Sequence, residues 1–335
     1  MSVLNVAMVG SEELGRRLGK KGDSRDIESF VHKESSDDGV RVLSLLRPLK
    51  HPDSIRPLLS VLGVAKAGLL EISELNPAVG EAMVAFGCSG ISDGFAIISP
   101  NQGEWIDPDQ VEMMLQQAGL GGWRIKQGEL DGHEIREELF GIQDGLSEGS
   151  IGHEEGALIL PVDQHFNVKG VGLVAIGYVQ SGSVSRHDEV EVLPSGDVGV
   201  VRSLQVMDDD VELASAGDRV GLALRNLREQ SLHRGCMICM PGSGAMERHE
   251  STTFDLAVAP FQRKSLEIGD VVHASSDMQF VVGRVSAAEG STYSINWDSP
   301  LWIRSDGTSM VQIVQLDAVP MRIMGTAEKI RELDG

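Results

Sequence analysis

The sequence predicts an α/β domain followed by an all-β region, and three observations carry that prediction. Over residues 1–142, apolar strand-length runs alternate with helical patterns, as in a doubly wound α/β domain. From Leu158 to Gly242, short apolar runs recur roughly every ten residues between Gly, Asp, Ser and Asn, which argues for a small closed β-barrel. From Thr252 onward strand-length runs recur again, punctuated by Gly269-Asp270, Asp306-Gly307 and Gly325. The expected organisation is an α/β domain over 1–142, a linker rich in Gly, Ser and acid over 143–155, a barrel over 156–243 and a further strand domain over 250–335.

With 335 residues and 41% hydrophobic content the chain can bury several cores, and at 4% aromatic content aliphatic side chains must build most of them. No apolar run reaches the ~18 residues that would suggest a membrane span. The N-terminus lacks a basic-then-apolar signal segment, and three Cys are too few for a disulfide framework, so a cytoplasmic location is expected. The net charge of −21 is shared by both halves, with 14 basic and 24 acidic side chains in residues 1–150 and 15 and 26 thereafter. Such a surface repels polyanions at long range, so neither DNA nor a membrane is an expected partner, although a local basic patch stays open.

Val3 to Val9 reads as a buried strand ending at Gly10, followed by a turn into Ser11-Glu-Glu-Leu-Gly15-Arg16-Arg17. The spacing of Gly10 and Gly15 fits the phosphate-binding loop G-x-x-x-x-G-K-[ST], but Arg16 stands for the lysine and Arg17 for the Mg²⁺-ligating hydroxyl. Arg16, Arg17, Lys20, Lys21 and Arg25 form the densest basic run, read either as a solvated helix or loop face or as an RNA contact. Asp37-Asp38-Gly39 reads as a turn before a strand over Val40 to Leu46, and Ala67 to Ile72 as the next strand. Val84 to Gly87 and Gly94 to Ile98 read as strands around a turn at Ser92-Asp93. Asp107 caps a helix with Pro108 at its first position and an apolar stripe of Val111, Met114, Leu115 and Ala118. The last strand of the domain is expected at Trp123 to Ile125.

In the barrel region, Gly182 and Gly217-Asp218 are turn chemistry, while Gly170 and Gly172 mark a bend or a close backbone approach. Cys236 and Cys239 have the spacing of a zinc or redox half-site, but on a strand residues three apart point to opposite faces. No second Cys pair exists, so no metal or disulfide chemistry is expected.

The succession Lys169-Gly-Val-Gly172, Gly182-Ser-Val184, Ala216-Gly-Asp-Arg-Val-Gly221 and Arg234-Gly235 to Pro241-Gly242 resembles the second domain of the translational GTPases, the elongation factor Tu and SelB group. The resemblance implies an elongation factor Tu-like architecture: a P-loop GTPase-like doubly wound domain followed by two β-barrels. The second barrel rests on its position, on Gly283-Arg-Val285 and on the spacing of the last strands. In that family an Asp-x-x-Gly-His motif precedes the helix here beginning at Ser54-Ile55-Arg56; its aspartate falls on Arg47, its glycine on Lys50 and its histidine on His51. The guanine-reading Asn-Lys-x-Asp falls on Ser99-Pro-Asn101-Gln102, without the carboxylate, and Gly128-Glu129-Leu130 takes another base-contacting position. With the phosphate, magnesium, switch and base positions all altered, the resemblance implies a degenerate G domain with no catalytic residue and no cofactor, GTP and Mg²⁺ being the alternative.

The family's pocket for the aminoacylated end of tRNA falls on Asp163, Gln164, Phe166, Val174, Ile176 and Arg219, or these residues simply pack the barrel. The leading expectation is a non-hydrolysing paralogue that binds tRNA, the ribosome or a translation factor. The alternatives are a slow GTPase with a variant phosphate site and a protein scaffold with no RNA role.

Overall fold

The computed structural model describes residues 2–36, 39–102, 104–128, 131–149 and 156–332. The first domain runs β1 (Ser2–Val9), α1 (Glu12–Leu18), β2 (Lys20–Ser24), β3 (Ile27–Ser36), β4 (Gly39–Pro48), α2 (Arg56–Leu62), β5 (Ala67–Ile72), α3 (Pro77–Gly87), β6 (Gly94–Ile98), α4 (Pro108–Gln117), β7 (Arg124–Gln127) and α5 (Gly132–Gly149). Its sheet has the order β2-β3-β4-β1-β5-β6-β7; strands β4 to β7 with β1 are parallel, and β2 and β3 add antiparallel pairs at one edge. Alternation along β1 serves both faces. Leu4, Val6 and Met8 pack with Leu14, Leu18, Ile135 and Phe140 under α1 and α5, while Ala7 joins Leu70, Ile72, Val84 and Phe86 under the opposite helices.

Three sequence expectations change here. Val84 to Gly87 is not a strand but the end of α3, capped by the Asn76 side chain, which accepts from the Val79 N–H at 2.9 Å, with Pro77 in the first turn. Residues 82–86 of that helix are all buried, so no amphipathic period marked it. The basic run Arg16 to Arg25 is neither one helix nor a loop; it divides between the end of α1 and β2. The expected linker is helical as far as Gly149, because α5 continues through it, while residues 150–155 lie outside the described residues. Asp37-Asp38 also lies outside them.

Next come β8 (Leu160–Val168), β9 (Gly172–Tyr178), β10 (Ser183–Ser185), β11 (Glu189–Leu193), β12 (Asp197–Val206), β13 (Asp209–Val211), β14 (Leu213–Ser215), β15 (Arg219–Arg225) and β16 (Met237–Cys239). Of these, β8-β9-β15-β12-β11-β16 close into a six-stranded barrel. The third domain consists of β17 (Met246–Val258), β18 (Val271–Ser276), β19 (Gln279–Glu289), β20 (Thr292–Arg304), β21 (Val311–Val314) and β22 (Ile323–Glu332), closed in the order β17-β20-β19-β18-β21-β22. Each barrel buries its own apolar interior, aliphatic in the first and including Phe254, Tyr293 and Trp297 in the second.

The three domains meet at the tip of the β18–β19 hairpin. Asp277 and Met278 both take positive φ there (45° and 64°), the mark of a tight two-residue hairpin turn. Met278 is 1% exposed and belongs to the core shared with α2 and α3. Two glycines make room for the tip. A Cβ at Gly63 of the first domain would lie 3.2 Å from the Met278 nitrogen, and one at Gly235 of the second 2.8 Å from the Met278 oxygen. The Met278→Ala variant is expected to lose about 2–5 kcal/mol of stability through the cavity it leaves, measured by urea unfolding; a loss within experimental error would refute this packing role.

Candidate functional site

Parallel sheets place their sites beyond the carboxyl ends of the strands, where the connections diverge. Here that place is the end of β1, with β4 on one side and β5 on the other. Gly10 and Ser11 lead into α1, and the Ser11 hydroxyl accepts from the Leu14 N–H at 3.1 Å as its N-cap. The Ser11 N–H itself donates to Glu71 Oε2 at 2.6 Å. A Cβ on Gly10 would meet the Glu71 Cβ at 2.9 Å, so the β5 side chain lies directly against the loop. From the other side, Arg47 at the end of β4 donates through Nε to the Gly10 carbonyl at 2.6 Å and through Nη1 to Glu28 Oε2 at 2.9 Å.

Glu28 is almost fully buried in β3 and also pairs with Lys21. Lys21 reaches Glu12 Oε1 at 2.9 Å, and Arg16 reaches the same carboxylate through Nε at 2.8 Å. The result is a chain of alternating charge, Arg47–Glu28–Lys21–Glu12–Arg16, along the mouth of the loop. Burial pushes the Glu28 carboxyl up, but hydrogen bonds from Lys21 and Arg47 outweigh it and hold it below the usual range. Hydrogen bonds to Glu28 and Glu12 in turn raise the Lys21 ammonium.

The structure therefore brings Gly10, Gly15, Arg16 and Arg47 to one place and adds two carboxylates, Glu28 and Glu71, that the motif comparison did not single out. Neither carried a sequence signal: Glu28 sits in the mixed run Ile27-Glu-Ser-Phe30, and its burial shows only in the fold. Gly15 packs against Phe30, whose ring a Cβ would meet at 2.4 Å. Arg17 sits in the last turn of α1, and its carbonyl accepts from Arg136 Nη1 at 3.0 Å. Asn101 donates to Glu104 Oε2 at 3.3 Å, Gln102 is exposed, and Glu129 and Leu130 lie outside the described residues. Of the basic run, Lys20 is exposed while Arg16, Lys21 and Arg25 all face carboxylates, Arg25 lying 4.0 Å from Asp23.

His51 stands apart from the loop. Its ring is buried between the first and third domains, with Nε2 3.3 Å from Glu81 Oε2. Glu81 Oε1 accepts from both the backbone N–H and Nε of Arg322 at 3.0 Å each, so His51 belongs to a domain contact. Burial raises the Glu81 carboxyl, yet the bonds from His51 and Arg322 bring it down to about 2.

The first barrel's candidate residues divide into two groups. Asp163 is buried and paired with Arg234 at 3.2 Å, and Arg234 also pairs with Asp26 of the first domain. Gln164 donates to Asp23 Oδ2 at 2.6 Å, and the Arg219 guanidinium lies 5.9 Å from the Tyr178 ring centroid. These three residues line the seam between the domains. Phe166, Val174 and Ile176 are half-buried on the barrel's outer wall, Phe166 opposite Val174 and Gln164 opposite Ile176 in the β8–β9 register. Cys236 and Cys239 belong to different cores, and burial pushes their thiols up to about 11 and about 12. No cluster of metal-binding side chains exists among the described residues.

Comparison with known proteins covers both the sequence and the fold. Residues 172–239 match the family model of elongation factor Tu domain 2. An uncharacterized protein of Methanocaldococcus jannaschii is 30% identical over 289 residues, 86% of either chain. The selenocysteine-specific elongation factor of the same organism is 38% identical over 106 residues, 31% of this chain and 22% of that one. Elongation factor SelB from Methanococcus maripaludis, in complex with the GTP analogue GppNHp, superposes with a TM-score of 0.77 at 18% identity over 99% of this chain and 81% of that one. A bacterial selenocysteine-specific elongation factor gives 0.78 at 20% identity, over 98% and 58%. The chain thus spans about a fifth of the named elongation factor it matches by sequence.

The Glu81 contact has a defined pH signature. Its folded pKa is depressed, so its stabilisation is fully present above the ordinary 4.5 and is lost as the pH falls toward about 2. Melting of wild type against Glu81→Gln should therefore show a gap at pH 6 that narrows steadily down to pH 3. A gap independent of pH would refute the ionised contact.

Proposed function

This chain belongs to the translational GTPase superfamily, and on that premise we propose that it is a cytoplasmic translation-factor paralogue, a binding module for tRNA, the ribosome or a translation factor that hydrolyses no GTP. The observation that carries the reading is the loop filled by its own side chains. A phosphate needs the backbone N–H groups at the start of the helix, a cation beside it and a hydroxyl for Mg²⁺. Here the Ser11 N–H is engaged by Glu71, Arg47 caps the Gly10 carbonyl, and Arg17 stands where the hydroxyl is needed. A phosphate entering the loop would have to displace Glu71 and then face both it and Glu28. The residues present do not fit Mg²⁺·GTP.

What remains suited to a partner is the barrel wall. Phe166, Val174 and Ile176 form an apolar strip of stacking character beside Arg219 and Gln164. By likeness to relatives that work as elongation factors, the partner is tRNA, the ribosome or a translation factor. An aromatic on such a wall can stack on a terminal base.

The second reading, a GTP-binding factor with a variant phosphate site and slow turnover, is favoured by the Gly10–Gly15 spacing and by the GppNHp-bound neighbour of the same fold. A fluorescent GTP analogue titrated with the protein separates the two. The pseudo-GTPase reading expects no Mg²⁺-dependent binding tighter than about 10 μM, roughly 7 kcal/mol; tighter binding would establish the second reading instead. For the partner, Phe166→Ala is expected to weaken tRNA binding by about 1–3 kcal/mol, read by fluorescence anisotropy across a salt series. An unchanged affinity would exclude the barrel wall as the tRNA contact.

A further inference from the structure

The turn between β2 and β3 reaches from the first domain onto the first barrel. Gln164 Nε2 donates to Asp23 Oδ2 at 2.6 Å, and Arg234 pairs with Asp26 while it lies 3.2 Å from Asp163. Arg219, beside them in the seam, also feels the Asp23 charge. Burial lowers its pKa, but Tyr178, Asp163 and Asp23 outweigh that and raise it above the ordinary value. Two carboxylates of one domain thus face two guanidinium groups and an amide of the other. Gln164 and Phe166 stand two apart on β8 and share its outer wall, so Asp23 is held beside the aromatic of the apolar strip.

This contact is built to be displaced. Gly22, Asp23, Ser24 and Arg25 are exposed, and none of residues 22–26 belongs to an apolar core; Ile27 is the first that does. Strand β2 is the edge of its sheet, and Asp23 lies where the β2–β3 register slips between Lys21 and Ser24. The Arg234 and Asp26 side chains stay 20% and 30% exposed, and a water-accessible pair of this kind is weak and screened by salt. The permanent junction of the domains, at Met278, is by contrast apolar and 1% exposed. The turn also leaves donors unspent, since Arg219 Nε and Arg234 Nε are buried with no hydrogen-bond acceptor among the described residues. A guanidinium offers five N–H donors in a planar fork, which suits the several oxygens of a phosphate.

Resting on the reading of the barrel wall as a tRNA contact, we propose that the β2–β3 turn is an internal competitor for that site. Asp23 and Asp26 occupy the positions beside Arg219 and Arg234 that phosphates of a bound RNA end take, and tRNA binds by displacing them. A tethered competitor acts at a fixed, high effective concentration. The observed affinity is then the intrinsic one reduced by the fraction of molecules in which the turn is open.

The test is the Asp23→Asn, Asp26→Asn double variant of the full chain, titrated with labelled tRNA by fluorescence anisotropy. Asparagine keeps the shape of the side chain, including the oxygen that accepts from the Ser24 N–H, so the turn retains its local form. A control neutralises two exposed carboxylates of the third domain, Asp317→Asn with Glu328→Gln, to remove the effect of net charge alone. A turn closed in about nine of ten molecules predicts that the double variant binds about tenfold tighter than wild type, ~1.4 kcal/mol, with the control within about twofold of wild type. Hydrogen exchange gives the direction: tRNA should speed exchange at residues 20–27 of the wild type while slowing it in β8 and β9. Phe166→Ala added to the double variant should weaken binding again. A double variant that binds no tighter than the control, or slower exchange at residues 20–27 with tRNA, would overturn the competitor. The barrel-wall reading survives either result if Phe166→Ala still weakens binding, whereas absence of tRNA binding by wild type and double variant alike would overturn both.

Discussion

The closed arrangement of the three domains depends on one hairpin tip. A two-residue turn in left-handed backbone presents Met278 to a core shared by the three domains, and the Cβ-less positions Gly63 and Gly235 allow it to approach. Around it the contacts are polar and specific. Arg322 grips Glu81, Arg234 joins Asp26 to Asp163, and Asn5 donates to the Gly217 carbonyl at 2.8 Å. The apolar wedge contributes by removing surface from water, while the desolvation of the buried ion pairs largely offsets their attraction.

The same logic governs the loop at β1. A phosphate-binding loop is a set of unsatisfied N–H groups awaiting an anion. In this chain the anion is a side chain. Glu71 reaches the Ser11 N–H from the neighbouring strand, and Arg47 links the Gly10 carbonyl to Glu28. Each substitution supports the next: Arg47 requires a carboxylate, Glu28 supplies it, and Lys21 shares the burden of keeping Glu28 charged while buried. Residues from separate stretches of the chain form one connected network.

Much of the fold was legible in the sequence because its signals are local. Strands ending in glycine, the Asp107-Pro108 helix start and the turn glycines of the first barrel carry their conformation in neighbouring residues. The failure at α3 has a plain physical cause, burial on all sides. Helix α3 is apolar throughout residues 82–86, so periodicity could not separate it from a strand, and only the Asn76-Pro77 cap marked its start. The basic run misled because charges adjacent in sequence lie on two elements, with acidic partners from elsewhere.

The sequence by itself determined the succession of domains and the family resemblance, since these are properties of residue order. Only the tertiary structure decided what the residues around the β1 loop touch. His51, at a position that the resemblance marked as functional, became part of a domain contact, whereas Glu71, unmarked, came to occupy the loop. It also brought Asp23 and Asp26, from a distant part of the chain, against Gln164 and Arg234 of the first barrel. Such pairings depend on which strands become neighbours, and that depends on non-local hydrogen bonding and core packing with no trace in adjacent residues.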